Sequence, residues 1–137
     1  MKDLNRFTVL FARIFLGSMF LAAGAMKIAG FTAITSMAAA KGLLFPAASI
    51  AVAAAIEIAG AVMLFIGYRA RLAAFILFVY LIPTTLIFHN FWAAHGMEQQ
   101  MQLINFLKNV AIMGGLLMVA GTGPGSVSLG EPAADSR

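Results

Sequence analysis

Residues 46–66 read PAASIAVAAAIEIAGAVMLFI, and Glu57 is the only ionisable side chain among them. A hydrocarbon layer of about 30 Å takes about 20 helical residues to cross, so this stretch has the length and polarity of a membrane span. Pro46 opens it, where a missing N–H costs nothing because the first N–H groups of a helix lack intrahelical partners. Gly67-Tyr68 closes it.

The pattern repeats on both sides, over residues 7–29, 72–91 and 101–121. With 62% hydrophobic and 10% charged residues and a mean hydropathy of +0.96, the chain carries more apolar surface than a soluble domain of this length buries, so lipid is its solvent. The expected fold class is an all-α integral membrane protein, a four-transmembrane-helix bundle over residues 1–121. The Gly-, Pro- and Ser-rich residues 122–137 are expected to form a flexible tail. Lys2 and Arg6 precede an apolar run ending in the cleavage-like triplet Ala23-Gly24-Ala25, but Arg13 interrupts it and three spans follow, so the first helix is expected to be retained.

Lys2, Arg6, Arg69, Arg71 and Arg137 fall on the side of the termini, against Lys41 alone in the opposite loops. The positive-inside rule then makes both termini cytoplasmic. Residues 34–41, ahead of Gly42, read as a short interfacial helix, and Trp92 occupies an aromatic-belt position. Pro83 is expected to free the Val79 carbonyl and kink the third span. Gly17, Gly24, Ala53, Ala59, Gly60, Gly114 and Gly115 favour close backbone approach. The scattered basic residues form no nucleic-acid stripe, and the absence of cysteine excludes disulfides and thiol chemistry by this chain.

Ionisable groups in a span cost at least about 2.5 kcal/mol each and usually face the bundle interior. The candidate ligand-binding residues are therefore Arg13, Lys27, Glu57, His89, Asn105, Lys108 and Asn109. At 100° per residue Arg13, Gly17, Gly24 and Lys27 share one face of the first helix, as do Asn105, Lys108 and Asn109 on the fourth. A rise of about 1.5 Å per residue brackets Glu57 in depth between Arg13 and Lys108, with differences of about 5 to 6 Å that either long side chain can span. Lys27, near its helix end, is expected to snorkel to the interface. One positive charge is then unbalanced, to be met by a neutral Lys108, an anionic lipid headgroup or an electron-rich ligand such as a quinone head group. The alternative is an ion-pair network that only sets helix register. No combination of Asp, Glu and His has metal-ligand spacing, and His89 alone is a poor basis for haem ligation.

Arg13, Gly17, Gly24 and Lys27, then Glu57, Gly60, Gly67 and Arg71, His89, and Lys108, Asn109, Gly114 and Gly115 ahead of a G-x-G-x-x-S tail together resemble the DoxX family of small bacterial membrane proteins. The resemblance implies a multi-pass protein of the bacterial inner (cytoplasmic) membrane with Arg13, Lys27, Glu57, His89 and Lys108 lining a polar cavity. Relatives of this kind include a quinone-linked subunit of a thiosulfate-oxidising enzyme and members of redox-stress complexes. Leu129 stands where the family tail often carries an acidic residue.

Three functions remain open at this level. The leading expectation is a membrane subunit of a redox system with a pocket for a quinone or lipid-like ligand, its electrons supplied by a soluble partner, and not catalytic alone. The second is a non-catalytic scaffold or assembly factor. The third is a small transporter or proton relay through Glu57, His89 and Lys108, for which four helices would call for a homo-oligomer.

Overall fold

The computed structural model describes residues 2–129, with side chains from Phe7 onward. Its elements are α1 (Lys2–Ala29), α2 (Phe31–Ala40), α3 (Pro46–Ile66), α4 (Ala70–Phe88), a 3-10 turn at Phe91–Ala93, and α5 (Gly96–Thr122), with no strand among the described residues. Four of them, α1, α3, α4 and α5, are long and apolar enough to cross a membrane. The protein is an all-α integral membrane protein.

Helix ends and hydrophobic ends do not coincide. The helix α5 starts at Gly96, several residues before the apolar run at 101–121, because Glu98, Gln99 and Gln100 are sound helix formers that need no lipid. Likewise α2 starts at Phe31 rather than 34. The helix α4 continues through Pro83 to Phe88.

Through the bundle, α1 packs along α3, α3 against α4, and α4 along α5, whereas α1 and α5 touch only sparsely. The closest seam depends on Gly24: a Cβ there would lie 2.7 Å from Ile58 Cγ1 and 3.3 Å from the Ala54 carbonyl. Phe20, Leu64, Leu77 and Leu116 fill the interior with Ala61, Ala70, Ala73 and Ala74, and Phe11, Phe15, Leu107 and Met118 point outward to lipid. α2 lies against α3 and α1 at the end of the bundle far from the termini.

At the terminal end, α3 turns into α4 through Gly67 at φ 73° and Arg69 at φ 44°. Three carbonyls that end α5, those of Ala120, Gly121 and Thr122, accept from the Arg71 guanidinium at 3.2, 2.5 and 3.2 Å, which satisfies acceptors that a helix terminus leaves orphaned. The segment beyond α5 then crosses this end of the bundle, and the Leu129 N–H donates to the Ile66 carbonyl at 3.0 Å. The described part of the tail expected over residues 122–137 thus reaches α3 through Leu129; residues 130–137 lie outside the described residues.

Candidate functional site

The middle of α3 places Glu57 among Ala53, Ala54, Gly60 and Ala61, all small and buried, so the residue is only 3% exposed. Three hydrogen bonds from two side chains take water's place. Lys27 Nζ lies 2.8 Å from Oε1 and 2.9 Å from Oε2, and the Tyr80 hydroxyl donates to Oε1 at 2.8 Å. One ammonium, one carboxylate and a neutral phenol from α1, α3 and α4 therefore close an electrically balanced cluster, the arrangement a low-dielectric site requires.

Lys27 and Tyr80 also face a cavity of about 490 Å³ between α1, α2, α3 and α4. Its walls are mainly apolar, with Met26, Ile34, Met37 and Ile50 among them, and Ser49, Thr84 and His89 add isolated polar groups. Apolar walls with a few convergent polar groups are the usual form of a small-molecule site. Glu57 stands behind this surface, and its two oxygens fix how Lys27 and Tyr80 present themselves. Two of the three ammonium N–H groups serve Glu57, and the Tyr80 oxygen retains acceptor capacity after donating its proton.

Two expectations about charge are corrected here. Lys27 does not snorkel outward, because a buried carboxylate within reach of a long, bendable chain is a stronger attraction than a water shell at the interface. Arg13 does not pair with Glu57. It is fully buried, and it donates from Nη1 to the Leu64 carbonyl at 3.1 Å and from Nη2 to the Val127 carbonyl. Those acceptors, one in the last turn of α3 and one in the returning tail, are nearer to it than Glu57 and are unsatisfied without it.

Nor does Lys108 join Glu57. It is exposed on α5 and faces a separate, more open groove of about 530 Å³ lined also by Met19, His89, Asn105 and Asn109. Glu57 and Lys108 share neither a bond nor a cavity, so the expected chain of Arg13, Glu57 and Lys108 does not form. Asn109 donates to Thr85 Oγ1 at 3.0 Å and ties α5 to α4, while His89 Nδ1 is 3.0 Å from Gln102 Oε1. His89 borders both cavities. Tyr80 is the member that reading the sequence missed. A tyrosine deep in an apolar span needs a partner for its hydroxyl, and that need was the available signal.

Residues 8–90 match the DoxX family. The chain belongs to the DoxX family. The matched stretch holds the whole Lys27–Glu57–Tyr80 cluster and ends before α5 begins. This DoxX-family protein is similar to two Escherichia coli K12 proteins. Inner membrane protein YphA is 33% identical over 121 residues, 88% of this chain and 86% of the relative. Inner membrane protein YqjF is 32% identical over 129 residues, 94% of each. The Saccharomyces cerevisiae ER-derived vesicles protein ERV29 is 30% identical over 76 residues, 56% of this chain but 24% of its own length. No solved structure matches the chain.

Proposed function

We propose that this DoxX-family protein is a multi-pass subunit of a bacterial inner-membrane redox system, and that the cavity beneath α2 receives the head group of a quinone or similar lipid-soluble carbonyl compound. The observation that carries this reading is the pairing of Lys27 and Tyr80 on one carboxylate at the wall of an otherwise apolar cavity. The ammonium keeps a third N–H for a ligand carbonyl, and the Tyr80 oxygen can accept from a ligand hydroxyl. Such a ligand undergoes coupled electron and proton transfer. Within this reading a partner protein supplies the electrons, and Lys27 and Tyr80 hold protons at Nζ and Oη in a site that α2 helps to line. The two E. coli relatives, named as inner membrane proteins, support the location, and the basic residues flanking the spans support cytoplasmic termini.

The test is thermal stability of the purified protein in detergent during titration with short-chain ubiquinone and menaquinone analogues. The unmodified protein is expected to gain stability in proportion to the logarithm of ligand concentration above Kd, and Tyr80→Phe to need a higher concentration for the same gain. Absence of any gain with both quinone classes would remove the proposal. A second reading has its own support: both Glu57 oxygens are satisfied by protein groups, as expected of a pin that holds α1, α3 and α4 in register for a scaffold.

A further inference from the structure

The polar residues of the spans divide between two places, and the groove between α1 and α5 has its own chemistry. Its polar members are Lys108, Asn105, Asn109 and His89, and none is acidic. Among the described residues Lys108 has no ion-pair partner; Glu98 lies in the polar first turn of α5, ahead of the apolar run at 101–121, and Glu57, the acidic residue within the apolar stretches, is already bound by Lys27. Met19, Ala111 and Ile112 supply apolar walls, and the sparse contact between α1 and α5 leaves this seam open toward lipid.

We infer that this groove binds an anionic phospholipid, with the phosphate held at Lys108 and an acyl chain lying along Met19 and Ile112. Depth favours that occupant. Asn109 is level with Thr85 through its hydrogen bond, and Gln102 is level with His89, the residue that ends α4. Lys108 thus sits about 5 to 9 Å below the His89 level, three residues up α4 from the Thr85 level or six along α5 from Gln102 at about 1.5 Å each, most of which its side chain can climb toward a headgroup. Charge favours it as well. A symmetric second copy on this face would set Lys108 against its own equivalent in a medium of low dielectric, whereas a phosphate neutralises it.

Native mass spectrometry of the whole protein, released from a neutral detergent after titration with phosphatidylglycerol or phosphatidylcholine, tests the inference. Phosphatidylglycerol is expected to bind the unmodified chain about fivefold more tightly than phosphatidylcholine, and Lys108→Gln to remove that preference while Lys108→Arg keeps it. Lys108 is exposed, so both variants should retain the unmodified melting temperature, which confirms that a loss is not unfolding. Equal retention of the two lipids by the unmodified protein, or unchanged preference in Lys108→Gln, would overturn it. So would competition by soluble glycerol phosphate as strong as by the lipid, or a dimer that Lys108→Gln dissolves. The quinone titration is read out separately, so either proposal can fail alone.

Discussion

Lys27 reaches back into the bundle to hold both carboxylate oxygens of Glu57, at 2.8 and 2.9 Å, although it stands near the end of α1 and Glu57 stands near the middle of α3. Because the two helices run antiparallel with Gly24 against Ala54 and Ile58, the ammonium descends about a turn to make this contact. Removing one partner leaves the other buried and unpaired. Glu57→Leu and Lys27→Met are each expected to destabilise by about 3 kcal/mol or more, and the combined Lys27→Met, Glu57→Leu change to recover most of that loss. A double-mutant cycle of thermal unfolding in detergent measures it; losses that simply add would show that the pair is uncoupled.

Tyr80→Phe deletes a hydrogen bond to a charged group and little else. A loss of about 1.5 to 3 kcal/mol is expected, with helicity by circular dichroism unchanged. A neutral substitution would mean that the hydroxyl finds water instead of Glu57.

Gly67 occupies a left-handed turn at φ 73°, and a Cβ there would lie 2.6 Å from Ser128 Cβ and press on the Arg13 guanidinium. Gly67→Ala should therefore cost more than the ~1 kcal/mol typical of a left-handed position, because it also displaces the returning tail. Comparing its melting temperature with that of Gly42→Ala, at φ 86° with open space around it, separates the two contributions.

Arg13 joins the end of α3 to the tail through the Leu64 and Val127 carbonyls. Hydrogen exchange at the Leu129 amide, which donates to Ile66, should accelerate about tenfold in Arg13→Met, equal to about 1.4 kcal/mol of lost local stability. Exchange at the same rate in both proteins would show that the tail docks without the arginine.

The chain has no cysteine, so single cysteines report sidedness directly. With cytoplasmic termini, Lys41→Cys should react with an impermeant maleimide added to intact spheroplasts, and Ser126→Cys only after lysis. The reverse pattern would invert the proposed orientation.

The spans of this protein are legible residue by residue because hydropathy is a local property and the bilayer imposes one length on whatever crosses it. Pro46 and Gly67 mark the ends of α3 for equally local reasons, a helix start that needs no N–H and a stop that needs positive φ. Partnership is different. Depth counted along separate helices made Arg13 and Lys108 plausible mates for Glu57, yet depth says nothing of which helices are neighbours or which carbonyls compete. Packing α1 along α3 brought Lys27 to Glu57, packing α4 beside α3 brought Tyr80, and the tail's return gave Arg13 other acceptors. Lys108 was left facing the open seam because α5 leans on α4 and barely touches α1. Hydropathy alone sets how many times the chain crosses the membrane; the pairing of its charges waits on helix packing, since a charge in a medium of low dielectric takes the nearest group that can satisfy it.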